Sequence, residues 1–340
     1  MNKDSEIKAI WMELAEAHVS GLVKRAVDIP SCLKMFCTYK SPDGFYGIAF
    51  SFSQDIKLDI SPFSNLSEID VSLFKDNSFP DSKFLLIQLL GGGNRVRDIF
   101  ASICDNIAST ILSVSSERDA VMLVISQMRK WQDLFSKKLK NILSIQEQQG
   151  LYGELSFLQK LICFPMDKVC SVKYWLGPNM APQDFKSELW AVEVKTITAN
   201  KFPNVSINGE LQLDETSIEK LFLYNLVVEI VPIDGKSLPE LVNEIRNNLN
   251  NDPNASNLFE NKLIYYGYYD IDVDAYKERR YQICKENYYL VQDEFPRIKK
   301  EDLLLGVSDV KYTITLAATN ENVIQESNVL NTILSYEGNQ

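Results

Sequence analysis

The chain contains one histidine, His18, in 340 residues. That scarcity removes two common chemistries, because neither a pair of imidazoles on zinc nor a two-histidine proton relay can be assembled. His18 lies near the end of an amphipathic segment and is read as structural. The six cysteines, at positions 32, 37, 104, 163, 170 and 284, show no Cys-x2-Cys spacing and are read as buried, reduced thiols rather than metal ligands. Long apolar runs are missing too, since none reaches the ~18 residues a membrane span requires. Met1-Asn-Lys-Asp-Ser-Glu6 runs straight into an amphipathic pattern without the apolar core of a secretory signal, so the cytoplasm is the expected compartment and no membrane partner is expected. Positive charge is in deficit: 35 Lys and Arg face 46 Asp and Glu, for a net charge of −11. This counts against a protein that coats nucleic acid through general phosphate contacts. An enzyme acting on nucleic acid survives the objection, because its site is itself acidic and local basic clusters or a partner subunit can supply affinity. Gly91-Gly-Gly-Asn94 lacks the Lys-Ser/Thr of a phosphate-binding loop and the spacing of a dinucleotide fingerprint, so it is read as a connector. No internal repeat, helix-turn-helix or zinc module stands out.

What remains is an ordinary globular composition, 45% hydrophobic and 24% charged. Residues 5–26 read as a helix, with Ile7, Ile10, Trp11, Leu14 and Ala15 on one face. Strand patterns follow at 33–39, 45–52, 56–60 and 84–90, separated by turn-formers such as Ser41-Pro-Asp-Gly44, and they suggest an antiparallel sheet. Residues 96–112 and then 116–148 have helical spacing, the second read as one long spacer with Ser116 and Asp119 at its start. Arg129, Lys130, Lys137, Lys138 and Lys140 form the best basic cluster on it, also readable as a solvated helix face.

The centre of the chain is the run 175–196, and a helical segment at 149–162 bears on it. Leu151, Leu155, Phe157, Leu158, Leu161 and Ile162 form an apolar stripe at helical spacing, and Glu154 falls in its middle. A carboxylate facing a core needs a partner or an ion. Residues 189–197 alternate with period two, so Glu193 and Lys195 share one face of a strand while Trp190, Val192, Val194 and Thr196 share the other. Lys186-Ser-Glu188 is a short polar break, so Asp184-Phe185 belongs to the preceding strand of a hairpin, with Asp184 opposite Ala191 or Glu193. Two carboxylates and an ammonium then converge, the oxygen ligand set that a hard cation such as Mg2+ takes together with water and phosphate. An exposed Glu-x-Lys salt bridge is the plain alternative.

Gly150-Leu-Tyr-Gly-Glu154-Leu, Trp175-Leu-Gly-Pro178, Asp184-Phe185 and Glu193-Val-Lys195, in that order, resemble the PD-(D/E)XK nuclease superfamily, and more narrowly its bacterial members found with restriction and phage-defence genes. The motifs cover about residues 149–215, and a looser likeness, including Phe295-Pro-Arg-Ile298, covers most of the chain. One departure is that Gln183 separates Pro182 from Asp184. The resemblance implies an α/β (α+β) fold: a restriction-endonuclease-like core with a mixed sheet flanked by helices, plus an N-terminal antiparallel-sheet unit and a C-terminal β-rich unit. It implies a Mg2+-dependent deoxyribonuclease, with Mn2+ able to substitute, in which Asp184, Glu193 and the Val194 carbonyl hold one or two metal ions, Lys195 acts on the attacking water, and Glu154 is an outer carboxylate that either touches a second ion or fixes the water shell. By the same analogy Gln212 contacts DNA or the metal's water shell, or is an ordinary strand residue. DNA is the implied substrate, with an ATPase, helicase or methyltransferase as partner and a homodimer among the possible assemblies. A catalytically silent scaffold and a DNA-repair exonuclease are the rival readings.

The remaining chain completes the expected layout. Residues 201–212 read as a strand pair about Asn208-Gly209, 221–233 as a buried strand, 237–250 as a helix and 250–257 as a polar linker. Residues 263–269, 281–291 and 310–317 are rich in β-formers. The tyrosines of this segment, 265, 266, 268, 269, 276, 281, 288 and 289, are read as half-buried sheet residues, with base stacking or a protein partner beside Arg279 and Arg280 as the alternative. The expected divisions are 1–115, a connecting helix at 116–148, a nuclease core at 149–250, a β-rich unit at 258–325 and a frayed tail at 326–340.

Overall fold

The computed structural model describes residues 6–64, 66, 68–112, 114–137, 141–179, 181–199 and 204–337. The chain divides into two compact units, one of residues 1–141 and 269–271, the other of 142–268 and 272–340.

The first unit contains α1 (Glu6–Glu16), β1 (Gly21–Val27), β2 (Lys34–Ser41), β3 (Phe45–Ser53), β4 (Ile69–Phe74), β5 (Ser82–Leu89), α2 (Gly93–Ile111) and α3 (Glu117–Lys137). Its five strands form an antiparallel sheet in the order β1-β2-β3-β5-β4. Trp11 anchors α1 to this sheet by donating its indole N–H to the Gly47 carbonyl (2.7 Å) and stacking on Phe100 of α2. The helix expected to Ala26 stops at Glu16, because His18 takes a left-handed φ of 51° that no α-helix tolerates. The following Leu22-Val23 run pairs with β2 instead. The strand expected at 56–60 is irregular, since both edges of β3 are already taken by β2 and β5, and the strand beyond β5 is Ile69–Phe74.

Nor is 116–148 one helix. Residues 141–144 are non-helical, and α4 (Ile145–Cys163) starts afresh with a capping box in which Ser144 and Glu147 satisfy each other's backbone N–H groups. The basic run at Lys130, Lys137, Lys138 and Lys140 lies outside the described side chains.

The second unit continues with α5 (Lys168–Tyr174), β6 (Phe185–Lys186), β7 (Trp190–Thr198), β8 (Asn204–Ile207), β9 (Lys220–Val231), β10 (Lys236–Ser237), α6 (Leu238–Leu249), α7 (Pro253–Tyr266), α8 (Val273–Tyr276), β11 (Arg280–Leu290), β12 (Tyr312–Thr315), β13 (Val323–Ile324) and α9 (Glu326–Glu337). Its main sheet is mixed. The strand order is β10-β11-β9-β7-β6, with β13 on β11, and β7 runs parallel to β9 while the other pairs are antiparallel. Together with the flanking helices this is an α+β, nuclease-like architecture. On one face of β7, Trp190, Val192 and Val194 join the core built by α4, α6 and α7; on the other, Ala191 packs with Val205, Ile207, Leu213, Leu223 and Ile314.

Helix α4 approaches β7 so closely at Gly153 that a Cβ there would overlap the Thr196 hydroxyl and press on Val194. Gly153→Ala is therefore expected to destabilise the protein. Overpacking costs about 1–3 kcal/mol and outweighs the ~1 kcal/mol that alanine gains over glycine in a helix. A lowered urea midpoint relative to wild type checks this; an unchanged or raised one contradicts the close packing.

Several expectations for this unit are corrected. Asn208-Gly209 does not join two strands, since β8 pairs with β12 and residues 209–213 form turns. The polar stretch at 250–257 and the run at 263–269 contribute to helix α7, which Asp252 caps by accepting the Ala255 N–H. Ala255, Phe259 and Leu263, spaced by four, bury one face of α7, and that packing overrides the β-preference of its tyrosines. The expected C-terminal β-rich unit is not separate, because β11 lies beside β9 in the main sheet. The tail is helical to Glu337, held by buried Val329, Leu330 and Ile333.

Candidate active site

Asp184, Glu193, Val194 and Lys195 sit on or beside β6 and β7, Glu154 on α4, and Gln212 in the turn after β8. The register Phe185↔Val192 and Lys186↔Ala191, continued one step, places Asp184 opposite Glu193 rather than Ala191. The backbone of Asp184 is pinned by two amides of the Trp175-Leu-Gly-Pro segment, since Leu176 N–H (2.6 Å) and Gly177 N–H (3.1 Å) donate to its carbonyl. Its side-chain Oδ2 accepts the Val194 N–H at 2.8 Å. A strand residue sends N–H and C=O to the same edge, so the Val194 carbonyl faces the Asp184 side as well. The next carbonyl, of Lys195, faces β9 and accepts the Asn225 amide at 3.0 Å, as this alternation requires.

Glu193 and Lys195 point the same way, and Lys195 Nζ lies 2.7 Å from Glu193 Oε1. This pair is not an exposed surface bridge: the side chains are 1% exposed for Glu193 and 14% for Lys195. Lys195 also donates to Gln212 Oε1 at 3.1 Å, which in turn accepts the Asn208 N–H at 2.9 Å. Gln212 is therefore neither an ordinary strand residue nor remote; the turn following β8 delivers it to the lysine. Glu193 Oε2 remains buried with no hydrogen-bond partner among the described residues.

Glu154 comes from α4 and is also buried. Its Oε2 accepts the Trp175 indole N–H at 2.7 Å, and its Oε1 accepts the Tyr266 hydroxyl at 3.4 Å. There is no room for a side chain at Gly177, because the Glu154 carboxylate occupies the space a Cβ would take. The sequence pattern gives Tyr266 no site role, because it lies 112 positions from Glu154 on a helix whose tyrosine-rich run reads as a strand. The aspartate cap before Pro253 was the available signal for that helix. The other tyrosines are mostly structural, since Tyr268, Tyr269, Tyr276, Tyr281, Tyr288 and Tyr289 are buried and cannot present a face to a base. Arg280 is engaged with Glu240 at 2.8 Å.

Three acids and one amine out of water make an electrostatically unbalanced cluster. Burial pushes the Asp184 carboxyl up to about 6, against the relief given by Lys195 and the Val194 N–H. Burial and then the neighbouring Asp184 charge push Glu193 up to about 8, with Lys195 opposing. Glu154 is raised well above the ordinary range by burial and then by Asp184, despite the Trp175 hydrogen bond. Burial alone would lower Lys195, but Glu193 and Asp184 outweigh it and raise its pKa, so it carries its proton. Such a cluster either retains protons or takes up a cation.

Among the described residues no three His, Cys, Asp or Glu side chains form a ready-made metal set. A hard divalent ion fits differently, through Asp184, the unpartnered Glu193 oxygen, the Val194 carbonyl, water and a substrate phosphate, which is the sparse protein ligation that Mg2+ favours. The six cysteines are free; Cys37 and Cys104 are buried as expected, but Cys32, Cys163 and Cys284 are exposed. Among the described residues, no helix is long and apolar enough to cross a membrane.

The edge hairpin of the mixed sheet carries Glu193 and Lys195 with Asp184 beside it, and Glu154 of the packed helix is buried behind them, which is the nuclease-like arrangement that the resemblance to the PD-(D/E)XK class implies. Within that class the chain belongs to the family described as "Putative PD-(D/E)XK family member (DUF4420)", which it matches over residues 7–317. No curated protein and no solved structure gives a significant match.

Proposed function

We propose that this protein is a Mg2+-dependent deoxyribonuclease, with Mn2+ able to substitute, serving as the nuclease component of a bacterial restriction or phage-defence system. The observation that carries the reading is the buried Glu193 oxygen, without a partner among the described residues, beside Asp184 and a charged Lys195. A bound divalent ion would supply Lewis-acid polarisation of the phosphoryl group and a lowered pKa for the attacking water. Asp184, Glu193 and the Val194 carbonyl are the residues that would hold it. Lys195, steered by Gln212, orients the water and offsets the charge that develops on the phosphoryl oxygens in the transition state. Glu154, fixed by Trp175 and Tyr266, supplies the outer carboxylate that orders the surrounding water. DNA would be the substrate, and an ATPase, helicase or methyltransferase the partner of such a system.

The test is incubation of the purified protein with methylated and unmethylated plasmid, circular and linear, in Mg2+ or EDTA. Cutting of circular DNA in Mg2+ and none in EDTA is the expected result. Cutting of linear DNA alone would make the enzyme an end-dependent exonuclease. Absence of cutting, together with absence of Mg2+ or Mn2+ binding, would leave a silent scaffold.

A further inference from the structure

Beside the candidate active site the second unit holds an open cavity of about 540 Å³ with no role in the reading above. Its walls include Pro182, Gln183, Lys186, Leu211, Ser217 and Lys300. We propose that this cavity seats one nucleoside of the DNA strand next to the phosphate that is cut, with Lys186 and Lys300 holding the adjoining phosphate at its rim. This inference rests on the nuclease reading and specifies where that substrate lies.

Three observations carry it. The first is continuity with the site. Lys186 follows Asp184 by two residues, so one short segment carries both a site carboxylate and a wall of the cavity. Across the cavity, Leu211 adjoins Gln212, whose amide oxygen holds Lys195. One loop therefore touches the lysine and walls the cavity.

The second is charge. In a chain of net charge −11, neither Lys186 nor Lys300 has a carboxylate within ion-pair distance among the described residues. Lys186 Nζ instead reaches the exposed Ser217 hydroxyl at 3.2 Å, a weak contact that a phosphate oxygen would displace.

The third is the mixed character of the interior. Pro182 and Leu211 offer apolar surface to a ring, and the volume falls within the roughly 300–1,000 Å³ of small-molecule sites. The Gln183 amide N–H donates to the Leu211 carbonyl at 2.5 Å, tying the two walls together, while its Oε1 is buried without a partner among the described residues. Asp214 and the 69%-exposed Glu301 also line the space, and their carboxylates can accept amino groups from a base edge while the two lysines take the phosphate.

The experiment is calorimetric titration of the metal-free full chain, in EDTA, with deoxycytidine and deoxyadenosine monophosphates, the parent nucleosides and inorganic phosphate. Saturable binding of a monophosphate is expected, about tenfold or more tighter than either fragment, because each supplies only part of the contact. Ser217→Trp, which fills the cavity from an exposed position, and Lys186→Ala, which removes the rim charge, should each weaken monophosphate binding by about tenfold or more. Their melting temperatures check that both variants fold. Monophosphate binding that is absent from wild type, or unchanged in folded Ser217→Trp, overturns the proposal. No DNA is cut in EDTA, so Mg2+-dependent cleavage without nucleotide binding defeats this cavity alone, whereas nucleotide binding without cleavage defeats the nuclease reading.

Discussion

Replacing Lys195 with alanine is expected to reduce Mg2+-dependent DNA cleavage by about 10²–10³-fold, the usual consequence of removing one donor aimed at a developing negative charge. Lys195 Nζ lies 2.7 Å from Glu193 and 3.1 Å from Gln212, so its position is set from two sides before any substrate arrives. Removing it also takes away the opposing charge that restrains the Glu193 pKa. Glu193 then holds its proton to higher pH, and the residual activity of the variant should rise more steeply with pH than that of wild type. Cleavage rates measured from pH 6 to 9 on folded protein, verified by its melting curve, decide the matter. Activity at the wild-type level would remove Lys195 from the mechanism. Asp184→Asn belongs in the same experiment, because it should abolish cleavage by removing a proposed ligand while an amide oxygen still accepts the Val194 N–H.

The second large effect is on stability. Asp184 is raised to about 6 and Glu193 to about 8, from ordinary values of 3.8 and 4.5, so the folded metal-free protein retains protons that the unfolded chain releases. Stability contributed by these acids is therefore complete below about pH 4 and is lost as the pH climbs through about 6 and then about 8. A divalent ion needs the ionised forms, so it binds better and stabilises more at pH 8.5 than at pH 6. At a free concentration one hundred times the dissociation constant, the stabilisation is about 2.7 kcal/mol. Melting curves with and without Mg2+ should thus diverge as pH rises, and Glu193→Gln should flatten the divergence. An Mg2+ effect of the same size at both pH values, or one untouched by Glu193→Gln, would separate metal binding from these carboxylates.

Much of this geometry was legible in the linear chain. The period-two alternation of 189–197 put Glu193 and Lys195 on one face, and β7 is buried on its two sides in that arrangement. The helical stripe around Glu154 exposed it as an acid facing a core. Both inferences are local: a strand or helix fixes where side chains point within a few residues, whatever surrounds it. The break at 141–144 was equally readable from the Ser144 and Glu147 capping pair, which the longer apolar pattern of 116–148 obscured.

The sequence by itself therefore determined the element types of the central hairpin and its helix, the sharing of a face by the glutamate and lysine, and the family likeness those residues carry. Only the tertiary structure decided that Asp184 stands opposite Glu193, that Gln212 grips Lys195, and that Trp175 and Tyr266 hold Glu154. It also turned 253–266 into a helix and moved β11 into the main sheet. The reason is separation along the chain. These partners lie from 9 to 112 residues apart, and no local periodicity encodes which distant surface a residue meets. Burial then did the rest, since the same carboxylates and ammonium spread over an exposed strand would carry ordinary pKa values and leave no oxygen without a partner.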